Sequence, residues 1–211
     1  MKCDKSALSL YAVTDRSWLG DETLAQQVEK SLKGGVTCLQ LREKELSDAE
    51  FLKEALEIKK LCSSYSVPFI INDNVDIAIK CGADGIHVGQ SDMAATNVRK
   101  LIGDGMILGV SAQTVEQAIL AEKMGADYLG VGAVFPTSTK LDADFVSYDT
   151  LKEICQSVSI PVVAIGGITQ ENLHLLKESG ICGVALVSAI YASKDIEGTC
   201  KTLYKKISEV I

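Results

Sequence analysis

The chain has 211 residues, of which 47% are hydrophobic and 5% aromatic, and its formal net charge at pH 7 is −7. This length suits one domain over residues 1–211, and the negative charge argues against nonspecific binding to nucleic acid. No apolar run reaches the roughly 18 residues of a membrane-spanning helix, and no long apolar stretch follows the N-terminus as in a signal peptide, so we expect a cytoplasmic protein without membrane or nucleic-acid partners.

Eight short apolar runs recur along the chain, and stretches with helical periodicity separate them. A continuous apolar run of about four to six residues is typical of a strand that is buried on both faces. The predicted strands cover residues 9–13, 38–41, 68–71, 85–88, 107–110, 128–131, 162–165 and 184–187.

The intervening stretches carry apolar stripes with the spacing of amphipathic helices. The clearest stripes consist of Leu24, Val28 and Leu32, of Phe51, Leu52, Ala55, Leu56 and Ile58, and of Val115, Ala118, Ile119 and Ala121. Strands that alternate with helices are joined by crossovers and therefore run parallel. The pattern predicts an α/β fold, a single-domain (β/α)8 TIM barrel, with an open doubly wound sheet as the alternative.

Seven cysteines are scattered through the chain, and none of them forms a C-x-x-C pair. Their odd number and irregular spacing predict neither a disulfide framework nor a zinc cluster. Several fall within predicted strands or helices, where a free cysteine acts as a small buried hydrophobe. This usage indicates a reducing compartment.

Residues that follow the predicted strands are the candidates for function, because a barrel binds its ligands at the C-terminal ends of its strands. The second strand leads through Gln40, Leu41, Arg42, Glu43 and Lys44. Side chains alternate along a strand, so Gln40, Arg42 and Lys44 are expected to share one direction. The two cations are either solvated or bind an anion between them, Arg42 as a planar fork and Lys44 as a point charge.

Two aspartates follow the third and fourth predicted strands: Asp73, directly after Asn72, and Asp92. Neighbouring strands lie about 4.8 Å apart, so these carboxylates either cap the helices that follow or share a hard cation. Mg²⁺ takes one or two carboxylates and completes its shell with water and substrate phosphates. His87 lies within the fourth strand, where we expect a hydrogen-bonded barrel histidine.

Hydroxyl groups follow the fifth and sixth predicted strands. Ser111 ends the fifth strand, where it either bonds a phosphate or caps a helix. The sixth strand leads to Thr137, Ser138, Thr139 and Lys140, which offer three hydroxyl groups and one cation above the barrel. The alternative for this segment is an ordinary polar loop.

The last two strands lead to Gly166 and Gly167 and to Val187 and Ser188. Barrels frequently hold a phosphate with the loops after strands seven and eight and with a helix N-terminus. A Gly-Gly pair allows its backbone to approach an anion closely, and it also suits a tight turn with positive φ.

The sequence therefore predicts two anion-binding areas at one rim of the barrel. The first suits a diphosphate with Mg²⁺ and combines residues 40–44 with Asp73, Asp92 and Lys140. The second suits a monophosphate and combines Gly167, Val187 and Ser188 with residues 137–139. Two phosphorylated small-molecule substrates lying head to head would fill the space between them.

These motifs, in this order, resemble those of the thiamine phosphate synthase family. The resemblance runs through nearly the whole chain and rests on residues 10–15, 40–44, 72–73, 87–92, 109–111, 131–140, 164–168 and 187–190. It implies that an aminopyrimidine with a methyl diphosphate couples to the ring nitrogen of a thiazole monophosphate, with Mg²⁺ as the cofactor. Thiamine phosphate and pyrophosphate are the products, and the carbon–oxygen bond breaks first to give a pyrimidine-stabilised carbocation.

The resemblance also implies roles for individual residues. Those that would hold the pyrimidine diphosphate are Gln40, Leu41, Arg42, Glu43, Lys44, Asn72, Ser111 and Lys140, of which Lys140, Arg42 and Ser111 would be catalytic. Those that would hold the thiazole phosphate are Thr137, Ser138, Thr139, Gly167, Val187 and Ser188. Asp73 and Asp92 would bind Mg²⁺, and Asn74 stands where we expect Arg or Asp in many members of the family.

Three alternatives use the same fold. A thiazole tautomerase or a regulator of thiamine genes would keep the second area without needing the diphosphate clamp, and the presence of Arg42, Lys44, Asp73, Asp92 and Lys140 argues against it. A regulatory phosphate-ligand-binding protein would need a second domain through which to signal, and we expect none. A sugar-phosphate epimerase would need a general base pair or metal-binding histidines, but His87 and His174 are the chain's two histidines and His174 is predicted on a helix. The sequence leaves open whether the protein is a monomer or a homo-oligomer.

Overall fold

The computed structural model describes residues 3–89, 98–137 and 145–211. Within these ranges eight parallel strands pair in chain order, and the eighth pairs with the first to close a barrel. The strands are β1 (Leu10–Val13), β2 (Cys38–Leu41), β3 (Phe69–Asn72), β4 (Gly85–Val88), β5 (Ile107–Ala112), β6 (Tyr128–Val131), β7 (Val162–Ile165) and β8 (Gly183–Leu186). This closure confirms the predicted (β/α)8 barrel and excludes the open sheet, which would have two free edges.

Helices surround the barrel and connect its strands. The α-helices in the described ranges are α1 (Leu24–Lys33), α2 (Asp48–Ser64), α3 (Val75–Cys81), α4 (Val98–Ile102), α5 (Val115–Lys123), α6 (Tyr148–Ser157), α7 (Ser188–Tyr191) and α8 (Ile196–Ile207). Short 3-10 helices cover Lys5–Leu8, Arg16–Trp18 and Leu173–Leu176, the last of which contains His174. Capping boxes begin α1 at Thr23 and α2 at Ser47, so polar side chains satisfy the first amides of both helices.

Two separate apolar clusters follow from the alternation of side chains along the strands. Leu39 and Leu41 of β2 belong to the larger cluster, which lies between the barrel and its helices. Cys38 of the same strand belongs to the smaller cluster, which fills the barrel interior together with Tyr11 and Tyr128. Each strand is therefore buried on both faces, and this is why its sequence reads as a continuous apolar run.

The N-terminal segment closes one end of the barrel. Leu8 and Cys3 are buried in the interior cluster. Gly183 of β8 allows this approach, because a Cβ atom there would lie 1.8 Å from the carbonyl oxygen of Leu8. Ligands are therefore expected at the opposite end of the barrel, where the strands have their C-termini.

Several bounds and one helix stripe differ from the prediction: β1 begins one residue later, β3 begins and ends one residue later, and β5 ends two residues later than expected. Strand β8 begins and ends one residue earlier than expected, so Val187 precedes α7 instead of ending the strand. Leu56, which we assigned to the apolar stripe of α2, is 51% exposed. Five apolar residues in this stretch span more of the helix circumference than the face that contacts the barrel, whereas Phe51, Ala55 and Ile58 are buried as expected.

All seven cysteines are free, as predicted, and five of them are buried. Burial raises the pKa of the Cys62 and Cys200 thiols to about 12, so both remain protonated at neutral pH. In the described part of the chain, no helix combines the length and the apolar character needed to cross a membrane.

Candidate active site

The exit of β2 carries the predicted cations, and each of them contacts a carboxylate on a neighbouring strand exit. The Arg42 guanidinium lies 3.2 Å from Asp15, which follows β1, and the Lys44 ammonium lies 2.9 Å from Asp73, which follows β3. The two cations therefore point to opposite neighbours. Each cation thus has a partner of opposite charge within the protein itself, and the sequence reasoning did not foresee this.

The backbone of this exit is held by β1. The Thr14 hydroxyl accepts a hydrogen bond from the Arg42 amide at 3.0 Å, and the Thr14 amide donates to the Gln40 carbonyl at 3.0 Å. Thr14 is fully buried. Leu41 is also fully buried, with its side chain in the outer cluster, so only its backbone can contact a ligand at the rim.

The Glu43 side chain faces the protein and is 3% exposed. Its carboxylate binds the guanidinium of Arg16 and accepts hydrogen bonds from the amides of Lys44 and Glu45. Burial acts to raise the pKa of Glu43, but these hydrogen bonds outweigh it and lower the pKa below the ordinary value. Glu43 thus organises the loop that carries both cations, while its carboxylate points away from a ligand above the barrel.

Two residues at the exit of β3 could cap the helix that follows, Asp73 and Asn74, and Asn74 is the one that does. The side chain of Asn74 accepts the Ile77 amide at 3.0 Å and is the N-cap of α3. Asp73 is therefore not the cap, and its carboxylate is half-buried beside Lys44. Its φ is +60°, in the left-handed region that Asp tolerates better than most residues, and its amide donates to the His87 carbonyl at 2.8 Å.

Polar side chains also meet inside the barrel, below the rim. Gln40 donates to the hydroxyl of Tyr11 at 2.8 Å. His87 is hydrogen bonded through Nδ1 to Tyr128 at 2.9 Å and through Nε2 to Ser111 at 3.0 Å, as expected for a barrel histidine. Gln40 and Ser111, two residues predicted to bind substrate, therefore stand on β2 and β5 at the same end of the interior.

The loops after β6 and β7 contact each other through glycine. Gly167 has a φ of +66°, and a Cβ atom there would lie 2.3 Å from the carbonyl oxygen of Pro136. The amide of Phe135 donates to the Gly166 carbonyl at 3.1 Å, and the Asn172 side chain donates to the Gly167 carbonyl at 2.9 Å. The pair is thus a tight turn of positive φ, and this turn places Gly167 next to the loop that leads to Thr137.

The exit of β8 completes the predicted monophosphate area. Val187 precedes α7, which begins at Ser188, and its carbonyl accepts the amides of Ile190 and Tyr191 at 3.1 and 3.0 Å. Both Val187 and Ser188 are partly exposed. The predicted site residues Asp92, Ser138, Thr139 and Lys140 lie outside the described residues.

Among the described residues, no group of three or more His, Cys, Asp or Glu side chains could hold a metal ion. This result does not conflict with the donor set that Mg²⁺ prefers, which needs only one or two carboxylates when substrate phosphates complete the shell. The carboxylate of Asp73 fits such a site, because it is accessible and α3 does not use it as a cap.

Comparison with known proteins agrees with this geometry. Residues 10–190 match the model of a family described as thiamine monophosphate synthase. The chain belongs to the thiamine monophosphate synthase family. The expected fold, family and enzyme class, a transferase of thiamine biosynthesis, are thereby confirmed.

Similar proteins from bacteria and archaea carry the same family name. The chain is 54% identical over 195 residues to a thiamine-phosphate synthase of Ruminiclostridium cellulolyticum, covering 92% of this chain and 93% of the relative. It is 51% identical over 199 residues to that of Methanobrevibacter smithii, covering 94% and 95%. A solved thiamine phosphate pyrophosphorylase from Pyrococcus furiosus superposes with a TM-score of 0.90 at 37% identity and covers 98% of both chains.

Several residues at this thiamine monophosphate synthase site escaped the sequence reasoning. Asp15 follows β1 as Arg42 follows β2, and inspecting the first strand exit in the same way as the others would have found it. Arg16 binds the carboxylates of both Glu43 and Glu54, which come from distant parts of the chain, and no local spacing reveals such contacts. Tyr11 and Tyr128 lie within apolar runs, which conceal their hydroxyl groups.

Proposed function

We propose that the chain joins the pyrimidine diphosphate and the thiazole phosphate at the C-terminal rim of the barrel, with Mg²⁺ and through a dissociative substitution. The observation that carries this proposal is the Lys44–Asp73 contact of 2.9 Å across the exits of β2 and β3, with Arg42 at the same exit. This contact supports the view that one small area provides two cations for a diphosphate and an oxygen ligand for a metal.

The pyrimidine diphosphate would lie between Gln40 and Ser111, with its phosphates toward Arg42 and Lys44. Asn72, at the end of β3, faces the same end of the barrel, and Lys140 would approach from the loop after β6. Arg42 and Lys44 would exchange their protein carboxylates for phosphate oxygens when the substrate binds. Glu43, held by Arg16, would keep the backbone between the two cations in place during this exchange.

Asp73 and Asp92 would hold the metal. Bound Mg²⁺ neutralises charge that develops on the departing diphosphate, in addition to the charge that Arg42, Lys44 and Lys140 neutralise. The thiazole phosphate would lie against Gly167, Val187, Ser188 and residues 137–139, so that its ring nitrogen faces the carbon that the diphosphate leaves. Capture of the carbocation then depends on positioning and needs no protein nucleophile.

A reducing cytosol suits this enzyme, because seven free cysteines with buried or partly buried thiols have no need of an oxidising compartment. The small-molecule substrates are the only partners that the proposal requires.

An assay of pyrophosphate release tests the proposal directly. The complete chain is incubated with both substrates, with each substrate alone, and with EDTA in place of Mg²⁺. We expect release only with both substrates and Mg²⁺. Release without the metal would overturn the cofactor assignment, and turnover of the thiazole phosphate without pyrophosphate release would favour a tautomerase.

A further inference from the structure

Five polar side chains form a continuous hydrogen-bonded chain across the barrel interior. It runs from Gln40 on β2 through Tyr11 on β1, Tyr128 on β6 and His87 on β4 to Ser111 on β5. The successive contacts are 2.8, 2.8, 2.9 and 3.0 Å. The two ends, Gln40 and Ser111, belong to the proposed pyrimidine site. The three residues between them have no role in the proposed function.

The rings occupy space that the neighbouring strands leave vacant. A Cβ atom at Gly109 of β5 would lie 2.2 Å from Cζ of Tyr128, and one at Gly130 of β6 would lie 3.0 Å from Cε1 of His87. The centroids of the Tyr128 and His87 rings are 5.5 Å apart. Two glycines on adjacent strands therefore admit this pair of rings.

The donors and acceptors along the chain fit one direction. Tyr11 accepts from the Gln40 amide, so its own proton is available to Tyr128. In this direction Tyr128 donates to Nδ1 of His87, and the imidazole proton lies on Nε2, facing the Ser111 hydroxyl oxygen. In the same direction Ser111 accepts from His87, so its own hydroxyl proton is directed away from His87.

The two phenols keep the protons that this direction requires. Tyr11 and Tyr128 are 2% and 0% exposed. Burial, as the largest cause, raises the pKa of both hydroxyls well above the ordinary value of a tyrosine. Neither ring therefore interrupts the chain by ionising at physiological pH.

We propose that Tyr11, Tyr128 and His87 are positioning residues that fix the polarity of this chain, so that Gln40 presents its acceptor oxygen and Ser111 its donor proton to the pyrimidine diphosphate. The inference rests on the proposed function, which puts that substrate at both ends. An acceptor at Gln40 suits the exocyclic amino group, and a donor at Ser111 suits a phosphate oxygen. With the reverse polarity Gln40 would face the amino group with a donor and Ser111 would face the phosphate oxygen with an acceptor, so neither hydrogen bond could form.

The polarity can be measured on the substrate-free protein by 15N NMR of the histidine rings. The chain has only two histidines, so the variant His174→Gln assigns the signals of His87. We expect the ring proton of His87 on Nε2, and a change of its nitrogen shifts in Tyr128→Phe. A proton on Nδ1 in the native chain would overturn the proposal.

Kinetics test the consequence for substrate choice. The substrate is compared with an analogue that carries a ring carbonyl in place of the amino group. In Tyr128→Phe we expect the preference for the amino substrate, as a ratio of kcat/KM values, to fall about 10-fold. The control is Tyr191→Phe. It removes another buried hydroxyl, which lies 3.4 Å from the Ser31 hydroxyl and does not belong to the hydrogen-bonded chain, so we expect the substrate preference of this variant to stay unchanged.

A Tyr128→Phe enzyme that is slower with both compounds but equally selective would overturn the proposal, because it would indicate a merely structural role. Absence of pyrophosphate release by the native chain would instead overturn the proposed function, and the histidine tautomer would still decide the polarity. The two hypotheses therefore fail in different measurements.

Discussion

The Lys44 ammonium lies 2.9 Å from the carboxylate of Asp73, and this contact joins the exits of two adjacent strands. Both side chains are substantially exposed, at 53% and 35%, so the ion pair contributes little to stability. Under the proposed function, Mg²⁺ would take the place of Lys44 beside Asp73, and the diphosphate would take the place of Asp73 beside Lys44.

Asp73→Asn tests the metal ligand. Asn keeps the size of the side chain and tolerates the left-handed backbone at φ +60°, so the variant removes the charge without adding strain. We expect kcat to fall on the order of 100-fold and the Mg²⁺ concentration for half-maximal rate to rise. Magnesium titrations of pyrophosphate release measure both effects, and an unchanged magnesium dependence would contradict the assignment.

Lys140→Ala separates turnover from thiazole binding. Lys140 is expected to stabilise the departing diphosphate, so kcat should fall roughly 10- to 100-fold while the Kd of the thiazole phosphate changes little. Steady-state kinetics and isothermal titration measure the two quantities. Lys123→Ala, at an exposed position of α5, is the control, and an unchanged rate in Lys140→Ala would count against the role.

Glu43→Gln tests the organisation of the β2 exit. The variant removes the charge that faces Arg16, and we expect a loss of about 1–2 kcal/mol in the free energy of unfolding at neutral pH. Because the pKa of Glu43 is lowered in the folded state, its contribution is present above the ordinary pKa of a glutamate and is lost as the pH falls through the lower folded value.

Urea unfolding of the native chain, Glu43→Gln and the exposed α2 variant Glu57→Gln over a range of pH checks this expectation. The difference between native chain and Glu43→Gln should shrink as the medium becomes acidic, below about pH 4. A difference that stays constant with pH would mean that the charge of Glu43 is not responsible.

Asn74 is expected to act through helix stability. Asn74→Ala removes the acceptor of the Ile77 amide and should cost about 1 kcal/mol of unfolding free energy, whereas Asn74→Asp keeps a good N-cap. Chemical denaturation of the two variants provides the comparison. Equal stability of Asn74→Ala and the native chain would show that the cap is unimportant.

Gly167→Ala should disturb the contact between the loops after β6 and β7. Its Cβ atom would meet the Pro136 carbonyl at 2.3 Å, so the neighbouring loop must shift, and we expect KM for the thiazole phosphate to rise about 10-fold. Gly103→Ala is a matched control, because Gly103 has a similar φ of +62° and no atom within 4 Å of the added group. Similar KM values in both variants would refute the proximity argument.

Sequence periodicity was sufficient for the barrel because every strand is buried on both faces. It also assigned Arg42, Lys44 and Asp73 to one rim, since parallel strands place their exits together. It did not determine which charges pair. The Asp15–Arg42 and Lys44–Asp73 contacts depend on the direction that each side chain takes at its strand exit, and the order of the strands does not determine that direction.

The sequence also leaves open which residue caps the helix at the β3 exit and which is free to bind a ligand. Asp73 and Asn74 are both good N-cap residues, and one residue of difference in where α3 begins decides which of them is engaged. The interior hydrogen-bonded chain was invisible for another reason. Tyr11 and Tyr128 count as apolar in a periodicity argument, and the two residues whose hydroxyls meet are 117 positions apart in the sequence.

The buried cysteines can be used to follow the unfolding of the native protein. Thiolates react with alkylating reagents and protonated buried thiols do not, so modification of Cys38 or Cys62 requires the structure to open. Cys38 samples the barrel interior and Cys62 samples the layer beneath the helices. The order in which a reagent labels them therefore records whether the helical layer detaches before the cylinder itself comes apart.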